Sequence, residues 1–196
     1  MERRELLKMI AAATGATMVG LPALVYGQAP AAGTDSAFST ADIATLDETA
    51  ETILPRTGTP GAKDAGVGRF MARFVSDCYT PGEQARFRAG LADIDKRAGG
   101  RFVSLAPQAR TELLRKLDAE ARQHASARKG AGVTGTGAAE AAAAMPHSFT
   151  MIKQLALFGF FTSKVAATEV LQYVAVPGRY DGDVAYKPGT PAWATG

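Results

Sequence analysis

The strongest constraint on the fold is one stripe of apolar residues that repeats with the period of an α-helix. It consists of Val67, Phe70, Met71, Phe74, Val75 and Cys78. Residues spaced by three and four positions share one face of a helix, so this face is expected to be buried against other elements. At the end of the stripe, Cys78 is expected to be a small buried residue. The alternative is that Cys78 forms a disulfide bond to a partner subunit.

Start signals place further helices along the chain. Ser39 and Asp42 have the spacing of a capping box, in which each side chain binds the other residue's backbone N–H group. Residues 80–83, Thr-Pro-Gly-Glu, combine a cap, a proline at the first helical position and a glutamate at the third. Pro107 opens another helix, which is expected to run to about His124.

The last long helix, at about 149–161, is apolar on most of its sides. A helix of this kind is surrounded by its own core or by a partner. A short helix is expected at about 163–172, and no segment has the alternating pattern of a β-strand. These patterns predict an all-α fold, a small helical bundle of about five to six helices with an irregular C-terminal tail.

The predicted organisation has four parts. Residues 1–27 are a signal peptide and residues 28–38 a flexible lead. The helical domain covers residues 39–173 and includes an alanine- and glycine-rich linker or insertion at 125–144. Residues 174–196 form an extended tail, because proline and glycine recur there.

The N-terminus has the features of a bacterial export signal. Arg3 and Arg4 stand next to each other and are followed by an uncharged stretch from Met9 to Val25. That stretch is shorter than the roughly 20 apolar residues of a membrane-spanning helix. The pair of arginines is typical of signals read by the twin-arginine export machinery, so we expect a periplasmic protein.

The sequence carries few residues that perform chemistry. It has one cysteine and two histidines, His124 and His147, which excludes a disulfide framework and the usual iron–sulfur and c-type haem ligand sets. Its net charge of +3, from 22 basic and 19 acidic residues, is too balanced for a nucleic-acid-binding protein. We therefore expect no catalytic, cofactor-binding or metal-binding residues in this chain.

Three local patterns do not amount to functional sites. Residues 130–135 match the GxGxxG dinucleotide motif, but no strand precedes them and no acidic residue stands about 20 positions later. His147 could act as a general base, yet no nucleophile accompanies it in the sequence, so we expect it to serve the entry of the last helix. Asp181 and Asp183 lack the spacing of a calcium loop and are expected to be turn residues.

Three stretches of the chain resemble the gluconate 2-dehydrogenase subunit 3 family. They are Thr-Pro-Gly-Ala-Lys-Asp-Ala-Gly-Val at 59–67, Gly-Phe-Phe-Thr-Ser at 159–163, and Val-Pro-Gly-Arg-Tyr-Asp-Gly at 176–182, with Ala-Trp-Ala at 192–194. The chain departs from the family pattern at Lys164 and Ala166, and Asp183 stands where many members carry cysteine.

The resemblance implies a non-catalytic small subunit of a periplasmic dehydrogenase. The catalytic partner would be a flavoprotein of the glucose–methanol–choline type that oxidises a sugar, a sugar acid or a glycoside. FAD would lie in that partner, and electrons would pass to haem c of a cytochrome c subunit or acceptor. The small subunit would support export and stability of the catalytic subunit. The alternative is a stand-alone periplasmic helical protein with a binding or structural role and no dehydrogenase partner.

Aromatic residues near the C-terminus are candidates for contact with a partner. The run at 158–161 has more apolar area than one side of a short helix hides in so small a bundle, and aromatic residues recur in the irregular tail. These residues either pack on the domain's own core or anchor in pockets of a partner. The candidate contact residues are Phe158, Phe160, Phe161, Arg179, Tyr180 and Trp193.

Overall fold

The computed structural model describes residues 38–130, 145–176, 178, 182–183, 185 and 187–194. Five α-helices lie within these residues: α1 (Thr40–Ile53), α2 (Val67–Cys78), α3 (Pro81–Arg97), α4 (Pro107–Gly130) and α5 (Ser148–Phe161). They are joined by a 3₁₀ turn at Phe102–Ser104 and followed by a π-helical turn at Ala166–Val170. The described residues contain no β-strand beyond one isolated parallel bridge. The predicted all-α bundle is confirmed.

Two capping boxes fix the starts of α1 and α3, as the sequence predicts. Asp42 N–H donates to Ser39 Oγ at 3.1 Å, and Ser39 N–H donates to Asp42 Oδ2 at 2.8 Å. Thr80 and Glu83 exchange the same pair of bonds at the start of α3. Each box gives partners to backbone N–H groups that have none inside the helix.

Helix α5 is the centre of the bundle. It contacts each of the other four helices, and five of its large apolar side chains and two of its small residues are buried between them: Phe149, Met151, Ile152, Leu155, Phe160, Ala156 and Gly159. The core around it is formed by side chains from every helix, including Leu46, Met71, Phe87, Leu117 and Ile152. The expectation of a helix buried on all sides is met by the chain's own helices along most of α5, but it is wrong at the C-terminal end, where Phe158 and Phe161 are exposed.

Helices α1 and α2 cross where a glycine removes a side chain. A Cβ atom added to Gly68 would lie 2.3 Å from Asp47 Oδ1 and 2.8 Å from the Asp47 backbone nitrogen. Gly68 N–H donates to Asp47 Oδ1 at 3.0 Å, so Asp47 of α1 accepts from the first turn of α2. This acceptor comes from another helix because the N-cap of α2, Gly66, is left-handed with φ 64° and has no side chain to offer.

The structure extends two of the predicted boundaries. Helix α4 continues to Gly130, six residues beyond the predicted end at about His124, because alanine, arginine and lysine favour helix in this segment. Phe38, predicted to belong to the flexible lead, is buried and packs its ring edge-on against Phe87 at 6.0 Å. The predicted signal peptide, residues 28–37 and the linker from residue 131 to 144 lie outside the described residues.

Candidate interaction surface

The C-terminal end of α5 presents two phenylalanines to solvent. Phe158 is 50% exposed and Phe161 is 43% exposed, and their spacing of three residues places them on neighbouring positions of one helix face. We call Phe158 and Phe161 the helix patch. The inner side of the Phe158 ring packs on two rings of α2, Phe70 at 6.0 Å and Phe74 at 5.8 Å between centroids. The helix patch therefore rests on a fixed aromatic base.

Phe160 does not belong to this patch. It is 4% exposed and lies in the core, with its ring 5.2 Å from that of Phe161. The prediction that all three phenylalanines of this run contact a partner is wrong for Phe160, because α5 is enclosed by other helices on the side where Phe160 points. A helix turns by about 100° per residue, so adjacent side chains meet different surroundings.

Gly159 allows α5 to lie close to α2. A Cβ atom added to Gly159 would lie 2.5 Å from Phe70 Cδ1. Phe70 follows the first of the family-like stretches, and Gly159 opens the second. Two segments far apart in the sequence thus meet beneath the helix patch, where the contact holds Phe70 in place under Phe158.

Hydrogen bonds to Gln172 tie the C-terminal tail back to the end of the bundle. Gln172 N–H donates to Ala192 O at 2.8 Å, and Ala194 N–H donates to Gln172 O at 2.8 Å, which forms the parallel bridge between Gln172 and Trp193. The Gln172 side chain adds a bond to Pro191 O. This clamp holds Trp193, which is 55% exposed, beside the residues that follow the π-helical turn.

The segment next to the clamp adds apolar residues that the sequence analysis missed. Tyr173, Val174 and Val176 are exposed, and with Trp193 they form what we call the tail patch. A tyrosine and two valines directly after the last helix were the available signal for them. Of the other predicted contact residues, Arg179 and Tyr180 lie outside the described residues.

The first family-like stretch builds the loop between α1 and α2. Glu51 accepts from the N–H groups of Arg56 and Lys63, each at 2.9 Å, and Asp64 Oδ2 accepts from Gly61 N–H at 2.8 Å. The guanidinium of Arg56, paired with Asp64, and the Gly61 N–H group hold the pKa of Asp64 below its ordinary value. These bonds are local to the loop, so this stretch has a structural role.

The structure tests the predictions for two single residues, His147 and Cys78. His147 is the N-cap of α5, and its Nδ1 accepts from Phe149 N–H at 3.2 Å, which confirms the predicted role at the helix entry. Cys78 is exposed, so the expectation of a buried residue is wrong. Helix α2 ends at Cys78, where the neighbouring helices no longer cover the stripe.

An open groove of about 310 Å³ lies between α1, α4 and α5. Its walls include the apolar Leu114 and Phe149 and the charged pair Asp118 and Lys153. Asp118 already binds Lys153 Nζ at 2.7 Å and Arg122 Nη2 at 3.1 Å. The Asp118 carboxylate is therefore already paired with two cations at the groove.

Two other kinds of site, a membrane-spanning helix and a metal centre, are absent from the described residues. None of the helices in these residues combines the length and the hydropathy needed to cross a bilayer. Across the same residues, no three histidine, cysteine, aspartate or glutamate side chains come together as a metal site would require. Most of the GxGxxG match at 130–135 lies outside the described residues.

Comparison with known proteins gives one match. The family model described as gluconate 2-dehydrogenase subunit 3 matches residues 40–178, which is well over half of the chain. No curated protein sequence and no solved structure matches the chain.

Proposed function

Because the chain belongs to the gluconate 2-dehydrogenase subunit 3 family, we propose that it is the non-catalytic small subunit of a periplasmic dehydrogenase complex. The observation that carries the proposal is the exposed apolar area at the end of α5 and in the adjoining tail. Apolar surface of this kind marks a site of association with another protein. The family name, which describes one subunit of a dehydrogenase, identifies the class of that other protein.

The proposed partner is a flavoprotein of the glucose–methanol–choline type that oxidises a sugar, a sugar acid or a glycoside. FAD resides in that catalytic subunit, and its electrons pass to haem c of a cytochrome c subunit or acceptor. In this proposal neither group is bound by the present chain. Its contribution is to bind the catalytic subunit, to stabilise it and to carry its export signal.

The helix patch and the tail patch are the proposed contact surface. Aromatic residues in the centre of an interface contribute most of its binding energy, and they do so best when already held in place. Phe158 rests on Phe70 and Phe74, and Trp193 is held beside Gln172 by backbone hydrogen bonds. Phe158 therefore has little side-chain freedom left to lose when it enters a pocket of the catalytic subunit, and the backbone at Trp193 is already fixed.

Truncation of the chain after Val176 tests the tail. The bundle is expected to stay folded, because Ala166 is the last buried residue of the described chain. Association with the catalytic subunit is expected to weaken by at least about 2 kcal/mol, the scale of one aromatic hot spot. Circular dichroism checks the fold and calorimetry the binding. Unchanged affinity would show that the tail is not part of the interface. An unfolded truncated chain would show that the tail belongs to the core.

Export is tested by the double variant Arg3→Lys and Arg4→Lys. Both this chain and the catalytic subunit are expected to remain in the cytoplasm, because the twin-arginine receptor recognises these residues and not their charge alone. Cell fractionation and blotting of both subunits provide the measurement. Lys8→Arg is the matched control and should leave export unchanged. Delivery of the double variant to the periplasm contradicts the export role.

Co-purification distinguishes the proposed function from the alternative, a stand-alone periplasmic protein. A tagged chain expressed from its native locus is expected to bring down a stoichiometric flavoprotein. Recovery of the chain alone, under conditions in which dehydrogenase activity is present in the same extract, supports the alternative.

A further inference from the structure

The only two histidines of the sequence lie side by side in the fold, where α4 meets the start of α5. The rings of His124 and His147 are 5.8 Å apart between centroids and inclined by 61°. His124 belongs to α4, and His147 is the N-cap of α5. The contact therefore joins two helices that are separated in the sequence by residues 131–147.

The hydrogen bond of His147 requires an unprotonated nitrogen. Its Nδ1 accepts from Phe149 N–H at 3.2 Å, and a protonated imidazole has no acceptor to offer. Proton uptake at Nδ1 would set two N–H donors against each other. It would also place a positive charge at a helix N-terminus, where the helix dipole is already positive.

The second histidine contributes its ring to the contact but no hydrogen bond through Nδ1. His124 Nδ1 is buried and has no hydrogen-bond partner among the described residues.

The charged groups around the pair are mostly cationic. Helix α3 contributes Arg86 and Arg97, and α4 contributes Glu120. Glu120 is already bound to Arg97 Nη1 at 2.7 Å. Burial lowers the pKa of His147 most, His124 and the two arginines lower it further, and Glu120 alone opposes them.

We propose that His147 is a pH-sensitive latch, which fastens the N-terminus of α5 against His124 of α4 when the His147 ring is neutral and opens when that ring is protonated. The latch is a property of this bundle and does not depend on the proposed function.

The direction of the pH effect follows from linkage. The pKa of His147 in the folded chain lies below its ordinary value of 6.5, so the unfolded chain takes up the proton first as the pH falls. The stability contributed by the neutral ring is complete above about pH 6.5 and declines as the pH drops through that value towards the folded pKa.

The test compares the full wild-type chain with His147→Asn in denaturant unfolding at pH 7.5 and pH 5.0. Asparagine keeps an acceptor at the N-cap but does not titrate. We expect the unfolding equilibrium constant of the wild type to rise at least about fivefold more between these pH values than that of His147→Asn. His124→Gln is expected to reduce the pH effect partially, because His147 keeps its cap.

A second measurement does not depend on any variant folding. Nitrogen NMR of the wild-type chain reports the protonation of each ring nitrogen during a pH titration. An unprotonated His147 Nδ1 at pH 7.5, with a midpoint below that of the same histidine in the urea-unfolded chain, is the expected result. A proton on Nδ1 at pH 7.5, or an equal pH dependence of stability in His147→Asn and the wild type, overturns the proposal.

Discussion

Replacement of Gly68 by alanine is expected to lower the free energy of unfolding by about 3 kcal/mol. The new Cβ atom would lie 2.3 Å from Asp47 Oδ1 and 2.8 Å from the Asp47 backbone nitrogen. A backbone atom has no rotamer with which to move away, so α2 must shift from α1. The shift also lengthens the bond between Gly68 N–H and Asp47, and it loosens Val67 and Met71, which are fully buried beside it.

Gly58→Ala is the matched control for this variant. A Cβ atom at Gly58 would meet no atom within 4 Å, and Gly58 is not among the positive-φ glycines. The same chemical change is therefore expected to alter stability by less than about 0.5 kcal/mol, or to raise it slightly by restricting the unfolded chain. Urea denaturation of the two variants beside the wild type provides the comparison. Equal stability of Gly68→Ala and Gly58→Ala contradicts the close approach of α1 and α2.

Alanine substitutions at two neighbouring phenylalanines are expected to affect different properties: Phe160→Ala the stability of the chain, and Phe161→Ala its binding to the catalytic subunit. Phe160→Ala should lower the free energy of unfolding by about 3–5 kcal/mol, because it leaves a cavity in the core. Phe161→Ala should cost less than about 1 kcal/mol of stability, because its ring is largely exposed. Its effect is expected on association with the catalytic subunit, which should weaken about 30-fold, the equivalent of about 2 kcal/mol.

Each of these two variants needs both measurements. Denaturant unfolding reports the stability of the isolated chain, and calorimetry reports binding to the purified catalytic subunit. Wild-type affinity of Phe161→Ala would exclude the helix patch from the interface. A large loss of stability in Phe161→Ala would instead make this residue part of the core.

Helix starts and capping residues were predictable because their interactions are local. The bonds within the Ser39–Asp42 and Thr80–Glu83 boxes span three residues, so the sequence shows both partners at once. The role of His147 at the entry of α5 is equally local, since its bond reaches only Phe149. The extension of α4 to Gly130 was also open to prediction from helix propensity.

Contacts between distant residues had no such signal. Asp47 and Gly68 lie 21 positions apart, and no spacing rule links an aspartate in one helix to a glycine in the next. The same holds for Gln172 and Trp193, which are joined only when the tail turns back. The pairing of His124 with His147 likewise depends on how α4 and α5 pack, and the composition shows only that both histidines exist.

The sequence by itself determined that this chain forms helices, where most of them begin, and that the helix at 148–161 would be buried along most of its length. Those properties follow from hydrogen bonding within a turn and from the number of apolar residues on a helix. Only the tertiary structure decided that Phe160 is buried while Phe158 and Phe161 remain exposed, and that Cys78 lies at the surface. The reason is that periodicity gives the angle between side chains on one helix, whereas burial depends on which other helices cover each angle and where they end.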